Sequence, residues 1–129
     1  MPSKPEDYLY EYAVIRYVPD VERGEFVNVG LLMMCKRRRW IRMEVRLPLE
    51  RLAAFDAPHS PAEIGNALDG WRKIAEGSRE TAEMADWPVE ERFRWLTAAK
   101  SASLQTSAPH PGLCTDLDST FAALTARLL

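Results

Sequence analysis

The chain has 129 residues, with 17 basic and 19 acidic side chains and a formal net charge of −2. Hydrophobic residues make up 47% of it, which is typical of a globular protein and not of a disordered one. We therefore predict one domain over residues 8–129, after a polar tail at residues 1–7. The two cysteines are too sparse for a disulfide scaffold, and no apolar run approaches the roughly 20 residues of a membrane-spanning helix, so we expect a soluble, cytoplasmic protein.

The first part of the sequence predicts three consecutive antiparallel strands with short connections. Residues 9–18 are rich in Tyr, Val and Ile on both alternating faces, and residues 27–35 form a continuous apolar run. Residues 40–47 alternate between apolar and charged side chains. Because the first two strands are apolar on both sides, we expect cover on both faces of the sheet, from helices or from a second subunit.

The rest of the sequence predicts helices and one late strand, near residues 101–106. Ser60 and Glu63 form a capping box, Pro61 takes the first helical position and Gly77 ends the helix, while Thr115 is the expected cap of the last helix. The predicted class is α+β, with an antiparallel sheet of about four strands and about four helices. The expected helices lie near residues 49–56, 61–76, 88–96 and 116–128, with loops or a frayed helix at 78–87 and a rigid proline-containing loop at 108–112.

A polar element comes just before the second predicted strand. Glu25, Asn28 and Gly30 lie within six residues, and polar groups that enter a core cost about 1–3 kcal/mol each without hydrogen-bond partners. One interpretation places Glu25 and Asn28 at the mouth of a pocket, where Gly30 lets another backbone approach closely. The other, which we favour, makes Glu25 an ion-pair partner of Arg16 or Arg23 and Asn28 a bridge for loop amides at a β-bulge.

A basic run follows the second predicted strand. Residues 36–46 carry six positive side chains and one negative side chain around a tryptophan, a composition that suits a nucleic-acid backbone and a stacked base. Charged hairpin tips also protect sheet edges from aggregation, which is the alternative interpretation. The candidate nucleic-acid residues are Lys36, Arg37, Arg38, Arg39, Trp40, Arg42 and Arg46.

A second group of polar residues lies towards the C-terminus. Arg94 belongs to the sequence Arg-Phe-Arg-Trp-Leu-Thr, and Lys100 and Gln105 lie beside or within the predicted late strand. His110 stands between two prolines, where a rigidly held imidazole can carry a proton near neutral pH. The histidines and cysteines lack the paired spacing of a zinc site, so we predict no metal, no cofactor and no assigned catalytic residue.

Four segments of the chain together resemble a known family. They are Tyr-Glu-Tyr-Ala-Val-Ile-Arg at residues 10–16, Glu-Phe-Val-Asn-Val-Gly at 25–30, Arg-Phe-Arg-Trp-Leu-Thr at 92–97 and His-Pro-Gly-Leu-Cys at 110–114. On these residues the chain is similar to domain-of-unknown-function family 3037, over residues 8–129. The resemblance implies a small bacterial cytoplasmic protein without an assigned activity, and a kinase of the HipA-like class as a partner. It also groups Arg16, Glu25, Asn28, Arg94 and His110 as one shared constellation.

Three functional hypotheses follow from these patterns. The leading one is a non-enzymatic protein–protein interaction or regulatory module that acts with a partner enzyme, because Tyr, Trp and Arg are enriched in interface hot spots. The second is binding of nucleic acid or another polyanion along residues 36–46. The third is an enzyme of unknown reaction with a pocket around Glu25, Arg94 and His110. The candidate binding residues are Arg16, Glu25, Asn28, Arg94, Lys100, Gln105 and His110.

Overall fold

A computed structural model describes residues 7–98 and 102–129 of the chain. The predicted tail lies outside these ranges except for Asp7. The centre of the protein is an antiparallel sheet, whose strands form because Val, Ile, Tyr and Met side chains pack well on a pleated surface. Its strands are β1 (Tyr8–Tyr17), β2 (Val27–Cys35), β3 (Trp40–Val45), β4 (Leu104–Thr106) and β5 (His110–Cys114).

Strand β1 lies at the centre of this sheet. One side of β1 pairs with β2, which carries β3 beyond it, and the other side is shared by β4, opposite residues 15–17, and β5, opposite residues 8–12. Ser107 joins the two short strands, because its Oγ accepts from Val14 N–H at 2.9 Å and its own N–H donates to Val14 O at 2.9 Å. The predicted α+β class is confirmed, with β5 as a further strand.

Strand β5 forms despite its prolines because it lies at the edge of the sheet. The backbone N–H and C=O of Val14 bond to Ser107, on the β4–β5 side of β1. Because this direction alternates along a strand, the backbone groups of Tyr12 also point towards β5, whereas those of Glu11 point the other way. Pro111 is paired opposite Glu11, and its missing N–H therefore belongs to the side that faces away from β1. The prediction of a loop at this place is wrong, since a proline is compatible with the outer side of an edge strand.

The helix that was most clearly marked in the sequence has the predicted bounds. Ser60 Oγ accepts from Glu63 N–H at 3.2 Å, and the Glu63 carboxylate accepts from Ser60 N–H at 3.1 Å. Gly77 ends the helix with a left-handed φ of 69°. The helices are α1 (Leu49–Ala54), α2 (Pro61–Glu76), a 3₁₀ segment (Arg79–Asp86) that is interrupted at Ala82, α3 (Val89–Thr97) and α4 (Leu117–Leu128).

The cap of α4 differs from the prediction. Asp116, and not Thr115, is the N-cap, because its carboxylate accepts from Ser119 N–H at 3.1 Å. Hydrogen bonds from Ser119 also hold the pKa of Asp116 below its ordinary value, because they stabilise the carboxylate. None of the helices in the described ranges combines the length and the apolar character needed to cross a membrane.

Helices cover both faces of the sheet. Helices α1, α2 and α3 pack on one face, which we call the α2 face, around buried residues that include Ile15, Leu68 and Phe93. Helix α4 packs on the opposite face, which we call the α4 face, and its Phe121 and Leu124 cover the β2 residues of that side. The cover expected from the two-sided apolar pattern of β1 and β2 therefore comes from the chain's own helices.

The antiparallel pairing gives the sheet two distinct ends. The end of β1, the start of β2 and the end of β3 lie together, and we call this the loop end. The turn at residues 36–39, the start of β1 and the end of β5 lie at the opposite end, which we call the tip end. The candidate functional residues are divided between these two ends.

Candidate functional site

The polar element at residues 25–30 forms a β-bulge at the loop end. Gly30 pairs with Ile15 and Asn28 pairs with Arg16, so Val29 is the extra residue of β2. A Cβ on Gly30 would lie 2.9 Å from a backbone oxygen of β3, and the position therefore requires glycine. The bulge reverses the alternation of β2, which lets Val29 pack on the α2 face while Asn28 turns towards α4.

Arg16 and Asn28 lie side by side on the α4 face. The Arg16 guanidinium lies 4.2 Å from the centre of the Phe26 ring, a cation–π contact. Asn28 Nδ2 donates to the Leu128 carbonyl at 3.4 Å and so connects the last turn of α4 to the bulge. Arg16 Nε and Asn28 Oδ1 are buried and have no hydrogen-bond partner among the residues that the structure describes. Burial leaves this pair under-satisfied, which is unusual for polar groups inside a protein.

Glu25 does not enter the core. Its carboxylate pairs with Arg23 Nε at 2.7 Å, and half of the Glu25 side chain is exposed. The contact is a surface ion pair, a class that contributes about 0–1 kcal/mol. The structure thus brings Asn28 and Arg16 together and places Glu25 on the neighbouring loop, with Arg23 and not Arg16 as its partner.

Two adjoining clefts lie between the β1–β2 loop and α1, and we call them together the loop-end groove. The first has a volume of about 530 Å³ and the second about 290 Å³, and Ala54 and Phe55 form a wall common to both. The first cleft is acidic, since its lining contains three carboxylates and one guanidinium. The charged residues of the first cleft are Asp20, Arg23, Glu25 and Asp56, and the second is lined by Phe26, Val27, Asn28 and Arg51.

Large apolar side chains are exposed around the same end of the sheet. Phe26 is 46% exposed beside the second cleft, Val21 is 53% exposed on the β1–β2 loop, and Leu49 is 59% exposed at the start of α1. A single exposed apolar side chain needs no explanation, but several at one end of a small domain indicate an interaction surface. The loop-end groove is therefore the candidate functional site.

Of two further candidate residues, Gln105 lies next to Arg16 and Lys100 is not among the described residues. Gln105 of β4 pairs with Arg16 across the strands, and its Nε2 donates to the Ala102 carbonyl at 3.1 Å. The register thus places Gln105, Arg16 and Asn28 in one row across the sheet. Lys100 lies outside the described residues, so its predicted membership of the constellation stays a prediction.

The structure does not bring Glu25, Arg94 and His110 together. His110 pairs with Tyr12, and their rings are 5.2 Å apart, on the α4 face. Tyr12 is five residues from the loop end of β1, which at about 3.3 Å per residue corresponds to roughly 16 Å. Arg94 is exposed on α3, which packs on the α2 face. The predicted pocket around these three residues is not formed.

Most of the basic residues along 36–46 have partners. Arg42 pairs with Asp118 of α4 at 2.6 Å, Arg46 with Glu44 at 3.8 Å, and Lys36 approaches Glu90 of α3 at 4.0 Å. Arg37 and Arg38 lie over the Tyr8 ring at 5.5 and 5.3 Å, and Arg39 takes a left-handed φ of 50° in the turn. Three of these ion pairs are contacts that the sequence interpretation of a nucleic-acid surface did not include.

Trp40 is partly buried and packs against the core of the α4 face. Its ring meets Phe121 edge-on with centroids 6.0 Å apart, and the Arg42 guanidinium lies 5.3 Å from it. The indole is therefore already in contact with protein groups on two sides. A stacked base would have to displace one of these contacts.

Sequence reasoning missed Arg92, which contributes to the end of α2. Arg92 Nη1 donates to the Ala75 carbonyl at 2.8 Å, one of the carbonyls that a helix end leaves without a partner. A Cβ on Gly77 would lie 2.6 Å from the same guanidinium nitrogen, so Gly77 makes room for it. Burial lowers the pKa of Arg92 from its ordinary value, because the charged form loses water. No local pattern marks this role.

Tyr17 and His59 form a second polar contact that the sequence did not indicate. The Tyr17 hydroxyl lies 3.0 Å from His59 Nδ1, and the Tyr17 side chain is almost fully buried. Burial raises the pKa of Tyr17, so the phenol stays protonated and can donate to the imidazole. The contact connects β1 to the segment before α2. Within residues 7–98 and 102–129, no group of three His, Cys, Asp or Glu side chains could hold a metal ion.

Comparison with known proteins places the chain in a family. No curated protein and no solved structure matches it. A family model described as "Protein of unknown function (DUF3037)" matches residues 12–129, which include the bulge, the loop-end groove and all four α-helices. The chain therefore belongs to the DUF3037 family of proteins of unknown function.

Proposed function

We propose that this protein is a non-enzymatic interaction module of the cytoplasm, which binds a partner protein in the loop-end groove and acts with a partner enzyme. The observation that carries the proposal is the exposure of Val21, Phe26 and Leu49 around a groove with an acidic cleft. Exposed aromatic and aliphatic residues beside charged ones are the composition of interface hot spots. The two free cysteines, Cys35 and Cys114, are consistent with a reducing compartment.

The two clefts differ in chemistry, and this defines the partner. Asp20, Glu25 and Asp56 give the first cleft an excess of negative charge over Arg23, which favours a Lys or Arg side chain of the partner. The second cleft presents the Phe26 ring and suits an apolar side chain. A partner segment that carries a basic residue close to an apolar one fits both clefts.

The enzyme hypothesis has less support. Its three residues are dispersed over the loop end, the α4 face and α3, so they do not converge on one substrate. The nucleic-acid hypothesis is also weaker than the sequence indicated, because Arg42 and Arg46 pair with carboxylates and the Trp40 ring packs on Phe121. The exposed turn at residues 36–39 is what remains of that surface.

The proposal is tested by affinity capture from native lysate with tagged wild-type protein and two groove variants. Asp56→Lys reverses charge in the first cleft, and Phe26→Ser removes the exposed ring of the second. We expect wild-type protein to capture a stoichiometric partner that stays bound through nuclease treatment and through washing with buffer. The captured amount of this partner should be lost or reduced about tenfold with each variant. A HipA-like kinase, which the family resemblance implies, is the first identity to look for.

The control is Trp95→Ser, which changes a side chain of similar exposure to Phe26 on α3, outside the lining of the loop-end groove. Circular dichroism of each variant checks that the fold is kept. Capture that is equal for wild type, Asp56→Lys and Phe26→Ser would reject the loop-end groove as the binding site. Loss of all captured material on nuclease treatment would reject a protein partner and favour the basic turn.

A further inference from the structure

A second surface of different chemistry lies at the tip end. Leu9 of β1 and Leu113 of β5 are paired directly across the strands, and they are 62% and 50% exposed. They line a groove of about 460 Å³ together with Asp7, Lys36 and Arg37, which we call the tip-end groove. By strand alternation Leu9 lies on the α2 face, beyond the part of that face that the helices bury.

The two leucines form a contiguous apolar floor. Leu9 and Leu113 are a pair whose backbone groups do not hydrogen-bond to each other. Val14 and every second residue of β1 from it make the backbone hydrogen bonds to the β4–β5 side, and Leu9 is not one of these residues. In such pairs the side chains approach more closely than in the hydrogen-bonded pairs. The floor therefore offers one continuous surface for a single aliphatic side chain of a ligand.

The rim of the groove is basic. Lys36 and Arg37 line it against one carboxylate, that of Asp7, and Arg38 and Arg39 continue the exposed turn beside it. The existing contacts of the two lining cations are a long one from Lys36 to Glu90, at 4.0 Å, and a hydrogen bond from Arg37 to the Asp7 carbonyl, among others. Four consecutive cationic residues at one end of a protein of net charge −2 form a local field of the opposite sign to the whole molecule. A ligand that complements this rim carries negative charge next to its apolar group.

We propose that the tip-end groove binds an acidic protein segment in which an aliphatic side chain is flanked by Asp or Glu. The aliphatic side chain contacts Leu9 and Leu113, and the carboxylates face Lys36 and Arg37. The segment binds by its side chains and does not extend the sheet, because Pro109 and Pro111 remove backbone donors from the outer side of the edge. This surface is separate from the loop-end groove and does not depend on it.

The structure favours a protein segment over nucleic acid. Tyr8 and Trp40, two of the aromatic rings at this end, are in contact with arginine side chains, so a stacked base would compete with these contacts. A third ring, Trp87, lines a different cleft, with Lys36 and Arg39. The exposed apolar surface is aliphatic, which suits a Leu or Ile side chain. It also forms the floor of a groove, whereas side chains that insert into a membrane project from the surface.

The test uses three labelled synthetic peptides of matched length and fluorescence anisotropy with the full chain at low salt. The first carries a leucine pair flanked by aspartates, the second has asparagines in place of the aspartates, and the third has serines in place of the leucines. We expect the first peptide to bind and each of the others to bind at least about tenfold more weakly. Binding of the first should weaken as salt is raised, because its charge contacts are exposed.

The variants Leu9→Ser and Leu113→Ser should each weaken binding of the first peptide about tenfold, the usual loss for a truncated apolar anchor. Leu49→Ser, which changes a side chain that is 59% exposed at the loop end, should leave binding unchanged. Equal binding of the three peptides, no binding of the first, or equal loss with Leu49→Ser would overturn the proposal. Tighter binding of oligothymidine or of phosphatidylserine vesicles, lost in Leu9→Ser, would overturn it in favour of those ligands.

Discussion

Gly30 is the residue on which the loop end of the sheet depends. It pairs with Ile15 next to the bulge, and a Cβ there would lie 2.9 Å from the Glu44 carbonyl oxygen and 3.1 Å from Ile15 Cδ1. A backbone oxygen in a paired strand cannot move aside without cost to the β2–β3 pairing. The same bulge turns Asn28 towards the Leu128 carbonyl, so Gly30 also positions a polar wall of the loop-end groove.

The change Gly30→Ala should lower the free energy of unfolding by about 1–3 kcal/mol, because it overpacks a closed site. Gly70→Ala is the matched control: Gly70 lies within α2, and a Cβ there meets nothing within 4 Å. This change should raise the free energy of unfolding by about 0.5–1 kcal/mol, the usual difference between Gly and Ala within a helix. Urea-induced unfolding of both variants is the measurement, and two changes of the same sign would contradict the assignment.

Single residues also show where sequence reasoning reached its limit at the candidate site. The sequence marked Arg16 and Asn28 as polar groups in apolar strands, and the register places them side by side. It did not show that Asn28 bonds to Leu128, because that contact joins residues 100 positions apart. Of the two ion-pair partners expected for Glu25, the structure has Arg23 and not Arg16, a choice that the sequence pattern left open.

Elements with local start and stop signals were predicted best. Helix α2 has the predicted bounds because Ser60, Pro61 and Gly77 set them within one turn of each end. Strand β5 was missed because His110-Pro111-Gly112 has no strand propensity, and only its place at the edge of β1 makes it a strand. Two partners of the basic hairpin, Glu90 and Asp118, come from α3 and α4, which are distant in sequence, so these two contacts could not be predicted.

The capping box of α2 gives a prediction that depends on pH. The Ser60 hydrogen bonds hold the pKa of Glu63 below its ordinary value of 4.5, because they stabilise the carboxylate. The pKa of Glu63 is thus lower in the folded protein than in the unfolded chain. Its ionised carboxylate therefore contributes to stability fully at a pH above the unfolded-state pKa, and this contribution is lost as the pH falls through the folded-state pKa. Part of this contribution comes from the Ser60 hydroxyl.

We expect Ser60→Ala to lower the free energy of unfolding by about 1 kcal/mol near neutral pH, as for other N-cap serines. The difference between the variant and the wild type should narrow as the pH falls below 4.5, because the carboxylate that the cap stabilises becomes protonated in both. Urea unfolding curves at neutral and acid pH measure both effects. A difference that is the same at every pH would show that the ionisation of Glu63 is not linked to the cap.

At the scale of the whole molecule, the two ends of the sheet present surfaces of opposite charge. The loop-end groove contains three carboxylates against two guanidinium groups, and the tip end carries the four cationic residues of the turn. The strands of the sheet separate the two ends, so a substitution at one end is a control for the other. The two proposed partner segments are likewise of opposite charge, so the two proposals together predict that each segment binds at its own end of the sheet.

The two faces of the sheet are also unequal, which predicts how the molecule opens. Three α-helices cover the α2 face, whereas within the described residues α4 alone covers the other face. Cys35 is fully buried beneath α4, and its thiol reacts only when that layer opens. Because no other helix in the described part of the chain packs on that face, we expect α4 to open locally, at a lower free energy than global unfolding.

The measurement is the rate at which Ellman's reagent labels Cys35 in a Cys114→Ser background. Leu124→Ala truncates a buried residue of α4, and Leu68→Ala truncates a buried residue of α2, so both should lower the global free energy of unfolding by about 2–5 kcal/mol. If α4 opens alone, Leu124→Ala should accelerate the labelling of Cys35 more than Leu68→Ala does. When the two variants are compared at the same loss of global stability, we expect this difference in rate to be at least about tenfold. If instead the two variants accelerate labelling equally for equal losses, α4 leaves the sheet only when the whole protein unfolds, and the two layers form a single cooperative unit.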